Sequence, residues 1–124
     1  MKEQPIHAFG VETCRNIIYA KVDSNPDLMS LVPEIPLMEC VPLYMFWCME
    51  DKEKEGELII GYTIAALAEF GRAKNPHDNS LNFKFLCDKH QREVVLRFLK
   101  WCASQLCLDY NPTLFRAIRS WQCK

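Results

Sequence analysis

The sequence predicts an all-α protein, a single domain of four or five helices bundled around an apolar central helix. Three observations carry this. Apolar residues recur at helical spacing in Val11–Val22 and again in Val94–Leu106. The stretch "ELIIGYTIAALAEFGRAK" is apolar on nearly every side, and its length and Ala-rich second half suit a buried helix better than a strand. Helix start signals, Asp88 with Gln91 and Asn111 with Pro112, stand ahead of the Val94–Leu106 segment and of one further segment. At 124 residues the chain suits one domain with one core. Its 49% hydrophobic and 25% charged residues are the composition of a folded soluble domain, which argues against extensive disorder.

The elements follow in order. Residues 1–10, "MKEQPIHAFG", read as a loose arm. "VETCRNIIYAKV" spaces Val11, Cys14, Ile17, Ile18 and Val22 as one helical face, and "DSNPD" ends it. Pro33, Pro36 and Pro42 then crowd ten residues, which forbids a regular helix and makes about 24–42 a Pro-rich connection. Leu28, Leu31, Val32, Ile35 and Leu37 are expected to pin it to the core. Pro42 is placed as the first residue of the next helix, "LYMFWCMEDKEKE", with Gly56 ending it. The central helix is expected near Ile59–Phe70. Its β-branched opening (Ile59, Ile60, Thr63, Ile64) leaves a short strand near 58–65 as the alternative, and "LNFKFL" leaves another near 82–87. Asp88 caps the following helix, and Asn111 caps the last one, with Leu114, Ile118 and Trp121 as its apolar stripe.

Several function classes are disfavoured. Lys plus Arg is 15 and Asp plus Glu is 16, so no global field favours nucleic acid or an anionic membrane. The N-terminus has no apolar core of secretory length. The longest apolar run, Val41–Met49, is far short of the ~20 residues a spanning helix needs, so no membrane partner is expected. Seven cysteines without C-x-x-C spacing read as reduced thiols, which makes the cytoplasm the simplest location.

One stretch invites chemistry. Cys87-x2-His90-x11-Cys102-x4-Cys107 imitates a zinc pattern. On a helix, however, His90 and Cys102 lie roughly 18 Å apart along the axis, and Cys102 and Cys107 diverge by about 140°. No metal site and no cofactor are expected. Cys102 falls in the middle of the apolar arc of Val94, Val95, Phe98, Leu99, Trp101 and Leu106, as core filling. Cys87 precedes the N-cap with His90 one turn on, which is a legitimate geometry for a nucleophile; the competing reading is a packed residue that continues the apolar "FKFLC" run. His77, Asp78 and Ser80 share one loop and read as turn chemistry rather than a triad. The acidic run "EDKEKEGE" lacks the alternating ligands and central Gly of a calcium loop.

"PLYMFWCMED" and "DKHQREVVLRFLKWCA" carry a resemblance. From about Val41 to Ala103 the chain resembles a family of small, mostly uncharacterised bacterial proteins (a domain of unknown function). In that family a Pro-x-Tyr-Met helix start, an "ED" and a second apolar helix precede a Leu-Thr-Pro-Glu-Gln-Arg entry into an amphipathic helix. Asp88 stands where the family has its capping Thr, Gln91 and Arg92 match, and Phe98-Leu99 fall at the same spacing. Cys87 takes the place of an apolar Leu, and Lys89-His90 replace Pro-Glu. The resemblance supplies no catalytic residues.

These readings favour a small cytoplasmic binding or regulatory protein that contacts another protein or itself. The alternative is a small thiol-dependent enzyme using Cys87 with His90. The third is a helix-turn-helix-like nucleic-acid binder using Arg116 and Arg119; slight acidity argues against it.

Overall fold

The computed structural model describes residues 8–10, 22, 24–25, 27–31, 36–50, 57–105 and 111–122. A 3-10 turn, Leu28–Leu31, leads to α1 (Leu37–Glu50), α2 (Glu57–Arg72), the single turn α3 (Phe83–Leu86), α4 (Lys89–Gln105) and α5 (Pro112–Gln122). No strand occurs among the described residues, so both strand alternatives give way to helix: 58–65 lies inside α2 and 82–87 holds α3. The expected helix over Val11–Val22, the Gly56 stop and the ends of the chain lie outside the described residues, apart from Val22, which is buried.

α1 begins earlier than expected. It starts at Leu37, directly after Pro36, whose carbonyl accepts the Glu39 and Cys40 N–H groups at 3.0 and 2.9 Å. Pro42 therefore stands inside the helix instead of opening it. There it removes the N–H that would meet the Met38 carbonyl, a defect that costs about 3 kcal/mol in an exposed helix. Burial outweighs it. Every residue from Cys40 to Cys48 is buried, so apolar contact encloses this stretch all round and helix is the form that satisfies its remaining backbone N–H and carbonyl groups. The Pro-rich connection is correspondingly shorter than 24–42. Its anchors are Leu28, whose carbonyl faces the Cys40 thiol at 3.7 Å, and the Asn25 carbonyl, which accepts the Tyr44 hydroxyl.

α2 is the hub, packing against α1, α3, α5 and the 3-10 turn. It buries Ile59, Ile60, Ile64, Leu67 and Phe70, and leaves Gly61, Tyr62, Ala65 and Glu69 exposed. Buried Thr63 satisfies its hydroxyl on the Ile59 carbonyl at 2.8 Å. α5 lies most extensively on α2, burying Leu114, Ala117 and Trp121, with Ile118 half-buried at the margin. The approach is close at Gly71. A Cβ there would stand 2.8 Å from Ser120 Cβ and 3.0 Å from two atoms of the Trp121 indole. Ser120 Cβ is fixed to its backbone and cannot swing away. Gly71→Val should thus push α5 off α2 and lower stability by about 1–3 kcal/mol in chemical denaturation. An unchanged denaturation midpoint would contradict the close packing.

Both expected caps form. Asp88 accepts the Gln91 N–H at 2.7 Å while the Gln91 side chain accepts the Asp88 N–H at 2.9 Å, a reciprocal capping box. Asn111 Oδ1 accepts from Thr113 and Leu114 at 2.9 and 3.1 Å, and Pro112 takes the first helical position. Of the N-terminal arm, residues 8–10 are described. Phe9 stacks on Phe83 with ring centroids 5.5 Å apart, and the Ala8 carbonyl accepts from Gln91 Nε2 at 3.3 Å. Gly10 follows with φ +68°, a left-handed turn residue.

Candidate functional site

Of two grooves on the described surface, the larger, about 650 Å³, runs between the start of α4 and the end of α5. Cys87, Lys89, Arg92, Glu93, Leu96 and Trp121 line it. The second, about 510 Å³, lies between the 3-10 turn, α2 and α5, with Asp27, Tyr62, Glu69, Arg72 and Arg116 on its walls. There Arg72 is already bound to Glu69 at 2.7 Å, and Arg116 reaches Thr113 Oγ1 at 3.4 Å.

The larger groove is held by α3. Asn82 donates to the Pro76 carbonyl at 2.8 Å, and the Cys87 N–H closes the turn on Phe83 and Lys84. Arg92 Nε donates to the Lys84 carbonyl at 3.0 Å, so α4 caps α3 from the side. Lys84 Nζ crosses to the Ser120 carbonyl at 2.6 Å, one of the last carbonyls of α5, and stands 5.8 Å from the centre of the Trp121 ring. Trp121 is the keystone. Its indole N–H donates to the Leu67 carbonyl at 2.8 Å, and its ring meets Phe83 edge-on at 5.8 Å. On this base Phe85 and Leu86 project outward, 43% and 49% exposed.

Cys87 and His90 share this region but not an environment. Cys87 is buried, and His90 is exposed on the first turn of α4. Burial is the largest influence on the Cys87 thiol; Arg92 draws its pKa down and Asp88 pushes it back up, for a net rise from the ordinary 9.0 to about 12. A helix start alone would favour thiolate; desolvation overrides it here. Iodoacetamide should therefore label Cys87 much more slowly than a free thiol, since a rise from 9.0 to about 12 cuts the thiolate population roughly a thousandfold. Rapid labelling at pH 6 would identify an activated nucleophile.

Cys102 is buried in the core, and burial also raises its pKa. Cys48, likewise enclosed, is pushed up to about 12. Among the described residues no three His, Cys, Asp or Glu side chains come close enough together to hold a metal ion; Cys107 lies outside them. His77, Asp78 and Ser80 form turns: Asn75 Oδ1 accepts the His77 N–H and Asp78 Oδ1 the Ser80 N–H, each at 3.0 Å. Arg116 and Arg119 are exposed on α5, whose opposite face is committed to α2. No helix among the described residues is long and apolar enough to cross a membrane.

The sequence singled out Cys87 but not the groove beside it. The groove joins residues from both ends of the 87–122 segment, and Trp121, read only as core, forms part of its wall. The "LNFKFLC" run did carry one signal: Phe83, Phe85, Leu86 and Cys87 are all apolar, and a single helical turn cannot bury all of them. The chain matches no protein-family profile, no curated protein and no solved structure.

Proposed function

We propose that the protein is a cytoplasmic binding protein that works through contact with another protein, at the surface formed by α3 and the adjoining groove. The observation that carries this is the outward pair Phe85 and Leu86. Both are about half exposed, on a helical turn fixed by the Arg92–Lys84 and Lys84–Ser120 hydrogen bonds. A rigid aromatic–aliphatic pair loses little entropy on being covered, which suits a contact anchor. Burial of the Cys87 thiol supports contact over thiol chemistry. The resemblance of residues 41–103 to small bacterial proteins belongs to the same reading and points to a bacterial host.

The test is chemical crosslinking in native host extract, comparing the wild type with a Phe85→Ser/Leu86→Ser variant of unchanged circular dichroism. A protein captured by the wild type, lost with the variant and rebound as a purified pair supports the reading. Identical capture by both would overturn it. A wild-type dimer in sedimentation that the variant abolishes would make the partner a second copy of the chain.

A further inference from the structure

The larger groove carries a chemical preference. Its wall is apolar at Leu96 and Trp121 and cationic at Lys89 and Arg92. Among the described residues neither the Lys89 ammonium nor the terminal guanidinium nitrogens of Arg92 have a hydrogen-bond or ion-pair partner, while Arg92 Nε is held on the Lys84 carbonyl. The one acid on the wall, Glu93, is turned to Arg97 at 4.0 Å. The groove thus presents two unpaired cations, one with its planar fork tethered, beside an apolar surface. A tethered guanidinium matches the two oxygens of a carboxylate, and the ammonium adds a point charge. A volume of about 650 Å³ is in the range that accepts a few side chains.

We infer that the groove between α4 and α5 binds an apolar segment of a partner protein that carries a carboxylate, the acid on Arg92 and Lys89 and the apolar side chain on Leu96 and Trp121. This rests on the protein-contact reading above and specifies its partner. A bare anion would leave half-buried Leu96 uncovered, and an uncharged segment would leave two cations facing it unpaired. With a net charge of -1 over the whole chain, no long-range field recruits a polyanion.

The experiment titrates the isotope-labelled full chain with the blocked peptide Leu-Glu-Phe-Asp-Leu and with its Leu-Gln-Phe-Asn-Leu counterpart, following the Trp121 indole N–H and the Leu96 amide by NMR. The acidic peptide should shift both signals and bind at least tenfold more tightly than the neutral one. Lys89→Gln, which leaves the Arg92–Lys84 bond in place, should remove most of that advantage. Equal binding of both peptides at the groove would overturn the acidic preference while leaving the contact surface standing. No shift at Trp121 and Leu96, or displacement of the peptide by inorganic phosphate at equal concentration, would also overturn it. Loss of the contact reading itself is seen separately, in capture that ignores Phe85 and Leu86.

Discussion

Trp121→Ala should lower the unfolding free energy by about 3–5 kcal/mol, the range for removing a buried Trp from a packed site. The ring is only 4% exposed, meets Phe83 edge-on, lies beside the Lys84 ammonium and closes on the Leu67 carbonyl. Alanine removes all four relations together and opens a void between α2 and α5. A domain of this size has a net stability of about 5–15 kcal/mol, so one substitution consumes a large part of it. Trp121→Phe keeps a ring but not the indole N–H. It should cost less, about 1–2 kcal/mol, because the helical carbonyl of Leu67 retains its backbone donor. Deleting residues 112–124 is the limit of the same series, since it also strips Leu114 and Ala117 from α2, and should abolish the helical circular dichroism signal. Urea denaturation with an unchanged m-value reads the substitutions, and a loss below about 1 kcal/mol for Trp121→Ala would show that α5 is not structural.

Stability should also fall steeply in alkali. Burial raises the thiols of Cys48 and Cys87 from 9.0 to about 12 and moves Cys102 in the same direction. Between pH 9 and 12 the folded chain keeps these protons while the unfolded chain releases them. The unfolded state then binds fewer protons, and stability drops as pH rises. Each thiol contributes a slope of roughly 1 kcal/mol per pH unit, so the three together contribute roughly 3. Below about pH 8 both states hold the proton and these groups add no pH dependence. Tyr44, whose hydroxyl is also raised by burial and donates to the Asn25 carbonyl, extends the trend upward from its ordinary 10.0. Thermal melts from pH 8 to 11 should show the descent, and Cys102→Ala should reduce the thiol share of the slope by about one third. A flat profile over that range would mean that the thiols reach water in the folded state.

Much of this architecture was legible because it is local. The capping box at Asp88 and Gln91, the Asn111 cap and the Val94–Cys102 face each depend on spacing within a few turns, and each forms as read. The start of α1 was not legible, because the rule that places proline at a helix start is also local, whereas the burial that carries the helix through Pro42 comes from the whole bundle. The opening of α2 left a strand open as the alternative for the same reason: Ile59, Ile60 and Ile64 have strand character, but they are buried in the helix that length and the Ala-rich second half favoured. Cys87 was legible as a choice between packing and reactivity. Its burial comes from the tertiary arrangement of α3 and α4 and could not be counted from the sequence. Arg92 stood out in the sequence only as a match to the family's helix entry, and only the fold brings it to the Lys84 carbonyl.

Pro42 has a second effect, which lies in the unfolded chain. The nine residues from Cys40 to Cys48 contain no charge and bring together Val41, Leu43, Tyr44, Met45, Phe46 and Trp47. During synthesis, or whenever the bundle opens, such a segment would pair edge to edge with its copies as a β-ladder. A proline near its start has no N–H to give to that ladder and is a poor fit to a central strand. The native helix tolerates the missing donor because it is enclosed on every side; a growing aggregate has no such enclosure to offset it. The residue that weakens α1 locally is therefore expected to hinder self-association when α1 is exposed, so that Pro42→Ala should aggregate faster on refolding.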